Sequence, residues 1–194
     1  MSQFYSLCLF LPANFTATLL ISIILVSLSQ EANLFLKPTL LINGDITDID
    51  LADLKVRGIK GLILDLDSTL IAPKTAELTD GPARWLEAAR RDFKVAIASN
   101  NKNEAYLDQI RAMLDMTIIG RAAKPSRKAF RVLLSEFGLS AEEVAVIGDR
   151  PLTDIWGGHR AGMTTILVGT LKTMNEPKWK TTIRNMERIF IRCC

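Results

Sequence analysis

Residues Gly61–Thr69 read GLILDLDST, and this stretch decides the fold. Its first half is apolar without interruption, which is typical of a strand that is covered on both faces of a parallel sheet. Asp65 and Asp67 follow at once, and side chains two positions apart on an extended chain point to the same side. The pattern therefore predicts a buried strand whose end holds two carboxylates in one ligand-binding crevice.

Further apolar runs repeat this strand pattern along the chain. They lie at Val95–Ala98, Met116–Ile119, Val144–Ile147 and Thr164–Val168. Helix-like stretches separate them, at Gly81–Arg91, Asn103–Leu114, Ser126–Phe137 and Thr153–Ala161. Strands that alternate with helices predict an α/β fold, a doubly wound, Rossmann-like parallel sheet with helices on both faces. Ser140 followed by Glu143 resembles a capping box at a helix start.

Composition indicates a globular protein and excludes several classes. The 194 residues are 48% hydrophobic and 23% charged, without excess Pro or Gly, so a disordered or fibrous chain is excluded. The net charge is +3, and residues 172–194 hold six basic but only two acidic residues. The main domain lacks a basic stripe, so we expect no nucleic-acid binding. The three cysteines offer no zinc or disulfide spacing, which favours a reducing compartment.

Residues 1–30 contain no charged side chain, and Phe15–Leu28 is almost entirely apolar or small. The stretch is shorter than the roughly 20 residues that a membrane-spanning helix prefers. It also lacks the basic start of a signal peptide. Three interpretations stay open: a membrane-embedded or interfacial anchor, a helix packed on the protein, or an over-extended start.

Residues 171–194 form a basic tail. Within it, Trp179, Ile183, Met186 and Phe190 recur at helical spacing beside basic residues, which predicts an amphipathic helix. Such a helix either lies on an anionic membrane surface or packs its apolar face on the domain. We expect three parts: the apolar segment 1–30, a catalytic domain at 31–170 and this tail.

A second acidic pair follows the Val144–Ile147 run, at Asp149 and Asp154 in GDRPLTD. Asp149 has the same strand-end position as Asp65, whereas Asp154 either joins the site or caps the next helix. Carboxylates held together repel each other unless a cation neutralises them, and hard oxygen ligands favour Mg²⁺.

Three further positions are candidates for phosphate binding. Ser99 and Asn100 follow the Val95–Ala98 run, where they either hold a phosphate oxygen or are ordinary loop residues. Lys124, just before a helix, either neutralises phosphate as a point charge or is solvated. His159 is the single histidine, so a Ser-His-Asp or His-ligated metal mechanism has little support, and we expect a helix-end residue there.

In this order, the motifs resemble those of the haloacid dehalogenase superfamily of phosphohydrolases. They are DLDST at 65–69, ASNN at 98–101, RAAKPS at 121–126 and GDRPLTD at 148–154. The resemblance covers about residues 38–170 and is greatest to the capless subclass IIIA phosphatases of the YqeG type. The segments 36–70 and 148–162 are its specific basis. That group is related to mitochondrial phosphatidylglycerophosphatase.

The resemblance implies a mechanism with an aspartate nucleophile. Asp65 would attack phosphorus and become an aspartyl-phosphate, while Asp67 would protonate the leaving alcohol and then activate water. Mg²⁺ would be held by the Asp65 carboxylate, the Asp67 backbone carbonyl and Asp149. Such a site works mainly by positioning and charge stabilisation.

Other residues receive supporting roles from the same resemblance. Ser99 and the backbone around Asn100 would bind the phosphoryl oxygens, and Lys124 would offset their charge. Asp154 would orient that lysine or act on the metal through its direct ligands. Thr69 matches the usual hydroxyl of the first motif. Two positions depart from the pattern: Ser68, where this group often has Asn or Glu, and Arg150, beside the metal aspartate.

Short intervals between the motifs leave no room for a lid domain, so we expect an open site for a phosphate on a large molecule or a membrane. The resemblance implies a cytoplasmic, membrane-associated phosphatidylglycerophosphate phosphatase that contacts a phospholipid head group. One alternative is the same chemistry on a soluble sugar, nucleotide or protein phosphate. The other is a non-catalytic binding protein, which would not need to keep Asp65, Asp67, Lys124 and Asp149 together.

Overall fold

A computed structural model describes residues 36–73 and 75–171, which form a six-stranded, all-parallel sheet. Its strands are β1 (Leu40–Leu41), β2 (Gly61–Leu64), β3 (Lys94–Ala98), β4 (Ile118–Ile119), β5 (Val144–Gly148) and β6 (Thr164–Leu167). They lie in the order β1-β6-β5-β2-β3-β4. From β2 the chain builds outward through β3 and β4, then crosses back to β5 and β6. This is the predicted doubly wound arrangement, and its reversal point places the ligand crevice beside β2.

Five helices cover the sheet within the described residues. They are α1 (Leu51–Val56), α2 (Asp80–Asp92), α3 (Glu104–Leu114), α4 (Lys128–Phe137) and α5 (Trp156–Ala161). Helices α2, α3 and α4 match the predicted stretches to within two residues. The predicted helix at Thr153–Ala161 differs at its start, because a π-helical turn, Pro151–Ile155, precedes α5. Such turns often occur at functional sites.

The two faces of the sheet carry separate cores, which explains why the central strand β2 is apolar at every position. In β2, Leu62 and Leu64 belong to one core and Ile63 to the other, since side chains alternate along a strand. Helices α1, α2 and α3 cover the first core. They contribute Leu54, Trp85, Leu86, Leu107 and Ile110. Helix α4 covers the second core with Phe130 and Leu133.

The neighbours of β2 fix the position of the acidic motif. The strand pairs with β3 on one side and β5 on the other, and Leu62–Leu64 is fully buried. The pairing continues one residue further, because the Asp65 N–H donates to the Ile147 carbonyl at 2.8 Å. Asp65 is therefore held in register by the sheet itself.

Two of the predictions concern the ends of the chain, which lie outside the residues that this structure describes. The apolar segment 1–30 and the amphipathic helix around Trp179 lie outside the described residues, so the three-part division stays a prediction. Within residues 36–73 and 75–171, no helix has the length and the apolar character needed to cross a membrane.

A capped turn, Ala141–Glu143, leads into β5 and confirms the predicted capping box. Glu143 Oε2 accepts from the Ser140 N–H at 3.0 Å, and Oε1 lies 2.6 Å from Lys60 Nζ. The Lys60 N–H also donates to the Glu143 carbonyl at 2.7 Å, which joins the starts of β2 and β5. The hydrogen bond from Lys60, with those from Ser140, lowers the pKa of Glu143 from 4.5 to about 2.

We expect Glu143→Gln to lower the free energy of unfolding at neutral pH. A carboxyl group whose pKa is lower in the folded state stabilises the protein above its unfolded pKa, and that stabilisation is lost as the pH falls. The difference between variant and wild type should therefore shrink from pH 4.5 towards about 2. Urea unfolding at a series of pH values measures it.

The matched control is Glu142→Gln, an exposed neighbour without an ion pair to any described residue. The free energy of unfolding of this control variant should differ little from that of the wild type. An equal stability difference and the same pH dependence in both variants would contradict the role assigned to Glu143.

Candidate active site

The carboxyl ends of the three central strands bring the predicted residues together. Asp65 follows β2, Ser99 follows β3 and Asp149 follows β5. Lys124 arrives on the loop after β4. One carboxylate oxygen from each of Asp65, Asp149 and Asp154 lies within 4.8 Å of the other two. The four motifs, separated by up to about 80 residues in sequence, thus form one cluster.

Lys124 lies at the centre of this cluster and is only 6% exposed. Its Nζ is 2.6 Å from Asp65 Oδ1 and 2.6 Å from Asp154 Oδ1. The other Asp154 oxygen accepts from the Arg150 N–H at 3.2 Å. Both alternatives left open by the sequence are thereby decided: Lys124 is not a solvated lysine, and Asp154 binds it from inside the site.

Gly148 makes room for this arrangement. A Cβ atom at that position would lie 2.5 Å from Asp154 Oδ2, closer than non-bonded atoms approach. The Asp154 side chain therefore folds back over the end of β5, which only a glycine permits.

Charge in the cluster is unbalanced. Burial raises the pKa of Asp65 above its ordinary value, Asp154 and Asp67 raise it further, and Lys124 opposes them. Burial acts to lower the pKa of Lys124, but the charges of Asp154 and Asp65 outweigh it, so this pKa is raised. Lys124 is thus firmly protonated. One ammonium faces several carboxylates, and the remaining negative charge favours a further cation.

Mg²⁺ fits the donors that are present. The cluster of Asp65, Asp149 and Asp154 offers hard oxygen atoms without histidine or cysteine, the donor set typical of magnesium rather than zinc. Asp149 is 1% exposed, and a carboxylate at that depth is costly unless a cation is close. Both Asp154 oxygens are engaged, one by Lys124 and the other by the Arg150 N–H, so Asp65 and Asp149 are the carboxylates suited to direct ligation.

Asp67 is held by Asn101, from the ASNN motif at 98–101, and by Tyr106, which the sequence did not single out. Asn101 Nδ2 donates to Asp67 Oδ2 at 3.0 Å, and the Tyr106 hydroxyl donates to Oδ1 at 3.1 Å. Burial, followed by the charge of Asp67, raises the pKa of Tyr106 above its ordinary value, so the hydroxyl stays a donor. Asn103 caps the start of α3 by accepting from the Tyr106 N–H at 3.3 Å.

Ser68 turns the chain immediately after Asp67. Its φ is 74°, in the left-handed region that asparagine tolerates better than most residues. The Ser68 N–H donates to the Ile71 carbonyl at 2.8 Å, and its own carbonyl accepts from the Leu171 N–H at 2.8 Å. Next to it, the Thr69 hydroxyl is buried and makes no hydrogen bond to any described residue.

The loop after β3 supports Lys124. Asn100 exchanges two hydrogen bonds with the Lys124 backbone: Oδ1 accepts from its N–H at 2.7 Å, and Nδ2 donates to its carbonyl at 3.0 Å. The Asn100 side chain therefore positions the lysine. Ser99 is 1% exposed, and its Oγ accepts from the Asn101 N–H at 3.0 Å.

His159 lies in the last turn of α5, as predicted. Its Nε2 is 2.8 Å from the Lys37 carbonyl oxygen and 3.2 Å from Thr165 Oγ1. These contacts join α5 to the segment before β1, so the single histidine acts outside the carboxylate cluster.

Known proteins with similar sequences identify the family. Residues 121–185 match a family described as HAD-hydrolase-like. A Bacillus subtilis protein named "Probable phosphatase YqeG" is 40% identical over 116 residues, which is 59% of this chain and 67% of that protein. The chain belongs to the haloacid dehalogenase superfamily. Within it, the chain is a phosphatase of the YqeG type, as the resemblance indicated.

Two other comparisons extend this result. The chloroplastic phosphatidylglycerophosphate phosphatase 1 of Chlamydomonas reinhardtii is 30% identical over 156 residues, which is 76% of this chain but 58% of that protein. A crystal structure of an uncharacterised Listeria monocytogenes protein has a TM-score of 0.50 and 21% identity. It covers 61% of this chain and 85% of that chain, a likeness of fold alone.

We expect Lys124→Met to lower the free energy of unfolding by about 3–5 kcal/mol, because it leaves two buried carboxylates without their partner. Chemical denaturation in the presence of EDTA measures this effect. Lys102→Met is the matched control, since that lysine is exposed and makes no ion pair with any described residue. Equal stabilities of the two variants would show that the ion pairs do not hold the site together.

Proposed function

We propose that this chain hydrolyses phosphate monoesters through an aspartyl-phosphate on Asp65. The observation that carries the proposal is the contact between the Asp65 carboxylate and buried Lys124, at the end of the central strand. A carboxylate held in register beside an ammonium is suited to attack a phosphoryl group, whose negative oxygens the same ammonium attracts.

Two steps complete the reaction. In the first, an Asp65 oxygen forms a bond to phosphorus while the bond to the ester oxygen breaks, and Asp67 gives its proton to that leaving oxygen. In the second, Asp67 takes a proton from water, the water oxygen bonds to phosphorus, and inorganic phosphate leaves Asp65 free. Lys124, Ser99 and the backbone of Asn100 stabilise the charge on the phosphoryl oxygens throughout.

Asp65, Asp149 and the Asp67 backbone carbonyl would hold Mg²⁺. The ion would supply positive charge to the phosphoryl oxygens and reduce the repulsion between them and the carboxylates. Asp154 keeps Lys124 directed at Asp65, so that the lysine and the carboxylate nucleophile share one fixed geometry.

The favoured substrate is phosphatidylglycerophosphate, which places the enzyme in phosphatidylglycerol synthesis and at a membrane. Similarity to the algal phosphatidylglycerophosphate phosphatase supports this choice. The described segments between the motifs agree with it: α2 lies between Thr69 and β3, and α3 and β4 lie between Ser99 and Lys124. Neither interval holds an inserted lid, so the site is open to a large or membrane-bound substrate.

We expect Mg²⁺-dependent phosphate release from phosphatidylglycerophosphate in mixed micelles, at a higher kcat/KM than from soluble sugar or nucleotide phosphates. Asp65→Asn should abolish release from every ester, because an amide is not a nucleophile towards phosphorus. Asp48→Asn, a change to an exposed aspartate far from the cluster in sequence, serves as the matched control.

Each outcome of that comparison has a distinct meaning. Release from a soluble ester alone would keep the chemistry and reject the lipid substrate. Release that survives Asp65→Asn would reject the nucleophile. An absence of release from all esters would favour the non-catalytic alternative.

The hydrogen bonds to Asp67 generate a separate expectation for Tyr106→Phe. This change frees Asp67 Oδ1 and should impair proton donation, which an alkyl phosphate needs more than a p-nitrophenyl phosphate does. We expect kcat on the alkyl ester to fall on the order of tenfold, with a smaller fall on the aryl ester and little change in KM.

Thr117→Val removes a hydroxyl remote from the cluster and is the control for stability. The thermal midpoints of both variants should be compared with that of the wild-type enzyme. Equal losses of kcat on the two esters would show that Tyr106 supports the fold rather than the orientation of Asp67.

A further inference from the structure

A surface of exposed side chains adjoins the active site, where α4 and α5 lie side by side. Arg127 donates to the Arg160 carbonyl at 3.3 Å, and Arg160 donates to the Pro125 carbonyl at 3.2 Å. The Arg160 guanidinium lies over the Trp156 ring, 5.4 Å from its centroid. These contacts make the first turn of α4 and the whole of α5 one continuous surface.

Four exposed cations belong to this surface: Arg127, Lys128, Arg131 and Arg160. None of them forms an ion pair with any residue that the structure describes. The opposite face of the sheet differs. There, Lys55 pairs with Asp92, Arg57 with Asp53 and Arg91 with Glu87, while Arg84 and Arg90 form no ion pair with a described residue. Positive charge is therefore uncompensated beside the active site and partly compensated across the sheet.

Large apolar side chains are exposed among these cations. Val132 is 54% exposed on α4, Leu152 is 40% exposed in the π-helical turn, and Trp156 is 36% exposed at the start of α5. The one acidic residue between positions 150 and 161 is Asp154, which is buried against Lys124. The surface thus combines cations, an indole and aliphatic groups, while the exposed acidic residue of α4, Glu136, lies in the last turn of that helix and contacts Thr117.

The chain path places this surface next to the reacting groups. Lys124, which binds Asp65, is followed within four residues by the start of α4. Asp154 is followed within two residues by Trp156. A partner that contacts this surface would lie beside the mouth of the open site.

We propose that these residues, the α4–α5 surface, dock the enzyme on an anionic lipid bilayer. The inference rests on the proposed function, to which it adds the part of the folded domain that meets the membrane. Lysine and arginine side chains near an anionic surface each contribute to binding, and tryptophan favours the interface between head groups and acyl chains. Leu152 and Val132 can enter the same interfacial layer.

A bilayer fits this surface better than a nucleic acid does. Phosphate backbones also attract arginine and lysine, but exposed aliphatic groups gain nothing from a phosphate backbone. At a bilayer the same groups leave water, which is favourable. The combination of uncompensated charge and exposed aliphatic side chains therefore favours lipid.

Co-sedimentation of the full chain with vesicles tests the proposal. Vesicles of phosphatidylcholine alone are compared with vesicles that also contain phosphatidylglycerol, and neither lipid is a phosphate monoester, so docking is measured without hydrolysis. The test variant is R127Q/K128Q/R131Q/R160Q. We expect the wild-type chain to prefer phosphatidylglycerol and this variant to bind it at least about tenfold more weakly.

The matched control is K55Q/R57Q/R84Q/R91Q, which removes the same charge from exposed residues of α1 and α2. This control variant should keep most of the wild-type binding to vesicles that contain phosphatidylglycerol. Hydrolysis of p-nitrophenyl phosphate, which needs no bilayer, should be unchanged in the test variant and reports that it is folded. The wild-type chain provides a further test, because added salt should weaken its binding to vesicles that contain phosphatidylglycerol.

Several results would overturn the proposal. The first is equal binding of the wild-type chain to both vesicle types, and the second is the absence of any binding. The third is an equal loss of vesicle binding in the test variant and in the control variant. A loss of duplex DNA binding as large as the loss of vesicle binding would assign the surface to polyanions in general. Vesicle binding without release from phosphatidylglycerophosphate would instead reject the proposed substrate and leave the docking surface standing.

Discussion

One buried ammonium determines how the active site is built. Lys124 Nζ contacts Asp65 and Asp154, and the surrounding residues hold these three charged groups in position. Asn100 holds the lysine backbone through two hydrogen bonds, and Gly148 leaves the space that Asp154 occupies. Charges removed from water are tolerated only with close partners, so the loops after three different strands must adopt one mutual geometry.

The same interaction supports the proposed binding of both metal and phosphate. A single lysine cannot neutralise all the carboxylates, so the site favours a divalent cation beside Asp149. With the lysine and the cation present, a phosphoryl group meets positive charge from two sides, which offsets its repulsion by Asp65. Asp65, the proposed nucleophile, and the positive charges that would stabilise the phosphoryl group therefore belong to one cluster of interacting groups.

Asp67 is controlled differently, by neutral donors instead of a charge. Asn101 and Tyr106 each donate to one of its oxygens, so its carboxyl group is oriented without being paired to a cation. Asp65, by contrast, is paired directly with the Lys124 ammonium. We propose that the open site, and the cationic surface of α4 and α5 beside it, then determine which phosphate esters can approach.

The sequence by itself determined the doubly wound sheet, because buried parallel strands such as Gly61–Leu64 must be apolar at every position, and that signal is local. It also placed Asp65, Ser99 and Asp149 at strand ends, which meet at one edge of a parallel sheet, whereas Lys124 was assigned to the site through the family resemblance. Tertiary structure alone decided that Lys124 is buried, that Asp154 binds it rather than capping a helix, and that Tyr106 reaches Asp67 from 39 residues away. These contacts join elements distant in sequence, so no local pattern encodes them. The sequence did not predict the two-residue strand β1 for the same reason, because only its pairing with β6 defines it.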